Sequence, residues 1–80
     1  MKSLTLYYTD SCPHCQKVLR FMAQNRITLA LKNTATEPAN REELRTIGGK
    51  TQVPCLVIDG RAMYESDDII AWLKANWSNN

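Results

Sequence analysis

At Cys12-Pro13-His14-Cys15 the chain changes its apolar period, and that change restricts how its first half can fold. Before the motif, Leu4, Leu6 and Tyr8 alternate with Ser3, Thr5 and Tyr7, the two-residue repeat of a strand. After it, Cys15, Val18, Leu19 and Met22 recur at i, i+3, i+4 and i+7, the inward stripe of a helix running to about Asn25. Pro13 suits the first helical position, where a missing N–H forfeits no bond. A strand thus delivers two cysteines to the start of a helix. Residues three apart on a helical turn lie roughly 5 Å from one another, within the reach of a disulfide, so the pair can open and close. Unpaired N–H groups and the positive dipole end of a helix favour a thiolate there, and the thiolate is the nucleophile. Cys12, ahead of the proline, is expected at the exposed tip as the attacking sulfur. Cys15, on the stripe, is expected inside as the resolving one.

A second strand is expected from Thr28 to Lys32, then a polar stretch, Asn33 to Asn40, punctuated by Pro38. Residues 40–47 read as a short helix with Leu44 and Ile47 inward and Arg41, Glu42, Glu43 and Arg45 outward, stopped by Gly48-Gly49. Leu56-Val57-Ile58 suits a buried strand, Asp59-Gly60 is a two-residue hairpin signal, and Arg61 to Tyr64 should return antiparallel. Ser66 is expected to cap a last helix, with Asp67 and Asp68 in its first turn. Ile69, Ile70, Trp72, Leu73 and Trp77 form its apolar face, and a polar Ser78-Asn79-Asn80 follows. The order β-α-β-α-β-β-α, with a right-handed crossover making the first two strands parallel, predicts an α/β fold. It has one four-stranded mixed sheet with helices on both faces. The cysteines then sit at the carboxyl end of the first strand, where open α/β sheets hold their sites.

Eighty residues suit one domain, 1–80. The net charge of +2 is mild and the basic residues are scattered, so nucleic acid is not an expected partner. No run approaches the roughly 20 apolar residues of a membrane span, and Met1-Lys2-Ser3-Leu4-Thr5 has no apolar signal core. A reducing, cytoplasmic setting away from membranes is therefore expected. Three cysteines, an odd number in a short chain, argue for thiol chemistry over a disulfide framework.

Three separated motifs together resemble the glutaredoxin family, the smallest form of the thioredoxin fold, over essentially the whole sequence. Cys12-Pro13-His14-Cys15 is similar to that family's Cys-Pro-X-Cys site. Val53-Pro54 is similar to its Val-Pro, whose proline is cis and faces the active-site cysteines. Ser66-Asp67-Asp68 is similar to the small residue plus Asp-Asp that holds the γ-glutamyl end of glutathione. Gln52-Val53-Pro54-Cys55-Leu56 and Glu65-Ser66 also resemble the glutathione-binding domain of glutathione transferases, where Glu-Ser engages the same group. A helix N-terminus is physically a good seat for its carboxylate.

The resemblance implies a thioredoxin-like fold and a dithiol thiol-disulfide oxidoreductase. Cys12 and Cys15 would be catalytic, with His14 tuning Cys12 toward a more oxidising couple. Val53, Pro54, Glu65, Ser66 and Asp67 would bind glutathione. Glutathione would be the co-substrate and electron source, with no bound cofactor and no metal. Disulfide-containing or glutathionylated proteins would be the substrates of a monomeric enzyme. There are departures from the family pattern: Thr9, Asp10 and Ser11 stand where many glutaredoxins carry a Lys, Tyr64-Glu65 replaces the usual glycine pair, and His14 replaces Tyr or Phe. Cys-Pro-His-Cys is better known from periplasmic disulfide oxidases. Arg41 and Arg45 are the two candidates for supplying the missing charge.

Two other functions fit the sequence. One is a thioredoxin-like disulfide reductase that does not use glutathione. The other is a non-catalytic glutathione- or metal-binding module, in which Cys12, His14, Cys15 and Cys55 would be zinc ligands, converging from one tight turn. Iron-sulfur glutaredoxins generally have one active-site Cys followed by Gly-Phe-Ser, so Cys15 argues against that branch. Cys55 itself is expected as a small buried strand residue.

Overall fold

The computed structural model describes residues 3–77. They form β1 (Leu4–Tyr8), α1 (Pro13–Gln24), β2 (Ala30–Asn33), α2 (Pro38–Gly48), β3 (Cys55–Ile58), β4 (Arg61–Met63) and α3 (Ser66–Asn76). The strands make one sheet in the order β2-β1-β3-β4. β1 runs parallel to β2 and antiparallel to β3, and β3 and β4 form a hairpin. Its turn is Asp59-Gly60, both residues at positive φ (50° and 86°), the backbone that a tight two-residue hairpin turn requires. The expected thioredoxin-like architecture is therefore the observed one.

Register sorts the strand residues onto two faces. Leu6 lies opposite Leu56, and its neighbour Tyr7 lies opposite Cys55. On the first face, Leu6 and Leu56 pack with Val18 and Met22 of α1, Ile27, and Ile69 and Leu73 of α3. On the other, Tyr7, Cys55 and Val57 pack beneath Leu44 of α2. Both layers are dry, because a sheet residue covered by a helix loses its water.

The structure departs from the sequence pattern in five places. Tyr7 was grouped with the polar positions of β1, yet it is 2% exposed. Its ring fills the α2 side of the sheet and its hydroxyl donates to the Glu43 carboxylate. The second strand is Ala30–Asn33, not Thr28 to Lys32. α2 begins at Pro38, which occupies the first helical turn instead of punctuating a loop. Ile47, expected inward, is 36% exposed; the α2 layer is already filled by Leu44, Tyr7, Cys55 and Val57. Finally, Ser66 is not the cap of α3. Glu65 takes that position in extended backbone, without a capping bond from its side chain, and Ser66 becomes the first helical residue and is buried. The offset places the small serine, not the long glutamate, against the core. Trp77 follows α3 as its C-cap and still packs on the first cluster. Ser78-Asn79-Asn80 lies outside the described residues.

Candidate active site: a dithiol beside a charged groove

β1 ends at Tyr8, and the chain turns through Thr9, Asp10 and Ser11 into α1, whose N-cap is Cys12 and whose first residue is Pro13. The Cys12 sulfur accepts a hydrogen bond from the Cys15 backbone N–H at 3.3 Å. It thus takes the place that a capping oxygen occupies in other helices. The Cys12 thiol is partly exposed and points toward the Val53 carbonyl, 3.9 Å away. Cys15, one turn in, is 0% exposed. Burial pushes its thiol up to about 11, and the neighbouring Cys12 pushes the same way, while hydrogen bonds from Thr9 pull against it. The two sulfurs therefore differ in access, and the inner one is held as a thiol.

Val53-Pro54 is a cis peptide, and Pro54 is buried directly before β3. Its loop forms one wall of an open groove of about 350 Å³, completed by His14 and Lys17 from α1 and by Tyr64, Glu65, Ser66 and Asp67 leading into α3. Every residue singled out in the sequence for glutathione, Val53, Pro54, Glu65, Ser66 and Asp67, borders this one space together with His14. Asp68 does not line it.

Sequence reasoning missed two of the groove's features. The first is Lys17, which pairs with Asp67 across the groove and holds the Asp67 carboxyl below its usual range. Arg41 and Arg45, the candidates for a cation here, are not among the lining residues. Lys17 was detectable, because it lies three residues after His14 and so shares its helix face. The second feature is Tyr64, whose hydroxyl donates to the Lys50 carbonyl at 3.2 Å, with the Lys50 ammonium 4.4 Å from its ring centre. The ring lies against Gly48, where an added Cβ would overlap the Tyr64 hydroxyl and come within 3.0 Å of the Ala62 Cβ. Neither contact leaves a local sequence signal.

Cys55 is buried beneath α2 beside Tyr7, Leu44 and Val57, away from the groove, and burial pushes its thiol up to about 11. Among the described residues, no three His, Cys, Asp or Glu side chains come together as a metal-ligand set. None of their helices is long and apolar enough to cross a membrane.

Residues 6–80 match the family model for the glutathione S-transferase N-terminal domain. The chain belongs to this family. Within it, the chain is a thioredoxin-fold redox protein whose similar relatives include glutaredoxins. An uncharacterised glutaredoxin-like 8.6 kDa protein from a rubredoxin operon of Clostridium pasteurianum is 32% identical over 57 residues, covering 71% of this chain and 76% of that protein. Glutaredoxin 3 of Escherichia coli K12 is 25% identical over 71 residues, covering 89% and 86%. A glutathione transferase homologue from Drosophila mojavensis, solved with bound glutathione, shares the fold with a TM-score of 0.78 at 21% identity. That match covers all of this chain but only 37% of the homologue. The glutathione S-transferase N-terminal domain described here therefore spans most of the glutaredoxin relatives and about a third of that transferase-type chain.

Proposed function

We propose that the chain is a glutaredoxin-type thiol-disulfide oxidoreductase with Cys12 as nucleophile, Cys15 as resolving thiol and glutathione as electron source. One observation carries the reading: a partly exposed sulfur lies 3.9 Å from the Val53 carbonyl, and Val53 shares one groove with the start of α3, while the second sulfur is sealed beneath. On a glutathione mixed disulfide, the Cys12 thiolate attacks the glutathione sulfur and the substrate leaves as a thiolate. A second glutathione thiolate then attacks the glutathionyl sulfur, releasing oxidised glutathione and restoring Cys12. On a protein disulfide, Cys12 first forms a mixed disulfide with one substrate sulfur. Cys15, losing its proton, then attacks the Cys12 sulfur, displaces the substrate thiolate and closes a Cys12–Cys15 disulfide that two glutathiones reduce.

Val53 would pair its backbone with the substrate as a short strand, and Pro54, Glu65, Ser66 and Asp67 would complete the glutathione site. His14 is exposed on α1 two residues after the nucleophile, where the partial positive charge and donor ability of its ring would stabilise the Cys12 thiolate and make the couple more oxidising. The enzyme would act as a monomer without bound cofactor, in a reducing, cytoplasmic compartment, on disulfide-containing or glutathionylated proteins. The test is glutathione-dependent turnover of a small mixed disulfide and of a protein disulfide by wild type, Cys12→Ser and Cys15→Ser. Cys12→Ser should lose both reactions, and Cys15→Ser only the second. An inactive wild type, or an active Cys12→Ser, would overturn the assignment.

A further inference from the structure

We infer that Asp10 is a specificity residue on the flank of Cys12 opposite the groove, a carboxylate positioned by Asn33 that favours protein disulfides with a lysine or arginine beside the reacting sulfur. The inference rests on the oxidoreductase reading above and names its substrate class. Sheet order sets the geometry. β1 lies between β2 and β3, so the loop from β1 to Cys12 has the Val53-Pro54 wall on its β3 side and the end of β2 on the other. Asn33 ends β2 in register with Tyr8, and its side-chain amide donates to the Asp10 carboxylate at 3.2 Å. Asp10 does not line the groove. It stands two residues before the nucleophile, so the extended chain separates the two by no more than about 7 Å.

Asp10 is exposed, yet it is held from both sides. Gln16 of α1 donates to its carbonyl at 2.7 Å. Asn33 is itself fixed, because its side-chain oxygen accepts from the Ala35 and Thr36 N–H groups at 2.8 and 3.0 Å and its carbonyl from the Asn40 side chain at 3.0 Å. Nothing neutralises the charge so held. Among the described residues the Asp10 Oδ1 accepts no hydrogen bond and no cation pairs with the carboxylate, while Lys17 and Lys32 are engaged by Asp67 and Glu43. A charge fixed in advance spares an incoming partner the cost of ordering it. A protein segment whose sulfur meets Cys12 has the groove on one side and Asp10 on the other, where the carboxylate attracts a cation and repels an anion.

The test uses three disulfide-closed reporter peptides, identical except for a Lys, Gln or Glu beside one cysteine. Glutathione is the reductant, and each turnover opens the peptide disulfide to two thiols and forms one oxidised glutathione. Wild type should rank the peptides Lys above Gln above Glu in kcat/KM. Asp10→Asn should lower the Lys-to-Gln ratio by roughly fivefold, the scale of one exposed charge pair. Comparing ratios between the two proteins cancels both the folded fraction and the peptides' own reactivity. The wild-type preference should also fade between about 0.1 and 1 M salt, as the screening length falls from about 10 to about 3 Å, which a purely structural role for Asp10 would not produce. Asn33→Ala keeps the carboxylate but frees it, and should lower the ratio part of the way; an unchanged ratio would overturn the role given to Asn33. If Asp10→Asn leaves the ratio as in wild type while turnover still needs Cys12, the inference falls and the oxidoreductase reading stands. If wild type turns over none of the peptides, both fall.

Discussion

Iodoacetamide should separate the three cysteines by access and ionisation together. Cys15 and Cys55 are both 0% exposed. Burial raises each thiol from 9.0 to about 11, a rise of about two pH units. Only the thiolate reacts, so at neutral pH the reactive fraction of each falls about 100-fold before any shielding by the surrounding atoms is counted. Cys12, partly exposed beside the Val53 carbonyl, carries no such steric barrier. Substoichiometric reagent at pH 7, followed by digestion and mass spectrometry, should find Cys12 consumed first. Cys15 and Cys55 should label at about one hundredth or less of the rate of an unstructured cysteine peptide in the same tube. Their rates should then climb about tenfold per pH unit toward pH 10, because the deprotonated fraction grows in that proportion below the pKa. Labelling of Cys15 within tenfold of the peptide at pH 7, or a plateau below about pH 9, would refute the reasoning. Cys15 would then compete with Cys12 as nucleophile, and the division of roles would lose its physical basis.

Two structural predictions accompany it. Lys32 and the Tyr7 hydroxyl hold the Glu43 carboxyl below its usual value of 4.5. A depressed carboxyl contributes stability that is present above the unfolded value and lost as pH falls through the folded one. Glu43→Gln should therefore flatten the decline in urea midpoint below about pH 5 and leave the slope near neutrality as it is. Gly48→Ala should drive the Tyr64 ring from its seat, at a cost of about 1–2 kcal/mol in urea unfolding. The same substitution in a Tyr64→Ala background should cost clearly less; equal costs would show that the ring is not what fills the space at Gly48.

What the sequence revealed was whatever depends on neighbours along the chain. The switch of period at Cys12, the stripe through Val18 and Met22, and the Asp59-Gly60 turn are local, and each maps onto an observed element. The parallel β1–β2 pair and the antiparallel β3–β4 hairpin followed because a crossover and a tight turn leave few arrangements open. Tyr7 was misplaced because strict alternation assumes one wet face, whereas α2 covers the second face and Glu43 takes the phenol's hydrogen bond. Pro38 misled for a related reason: a proline that starts a helix and one that breaks a loop look alike until the next turn is known. The one-residue offset at Ser66 depends on which side chain fits the core, and the next residues along the chain do not encode that.

The missed cation follows from how α1 divides its work. Cys15, Val18 and Met22 look inward, so His14 and Lys17, at i and i+3 on the opposite side, must look out toward whatever α3 presents. α3 presents Asp67 in its first turn, where a carboxylate is also favoured by the helix dipole. The same rotation about α1 therefore seals the Cys15 sulfur and aims a positive charge across the groove. A search for a cation near the motif that looks only before Cys12, or to the arginines of α2, passes over the one residue that the helix period places there. One short segment of α1 thus sets both features, the thiols by its start and inner face and the charge by its outer face.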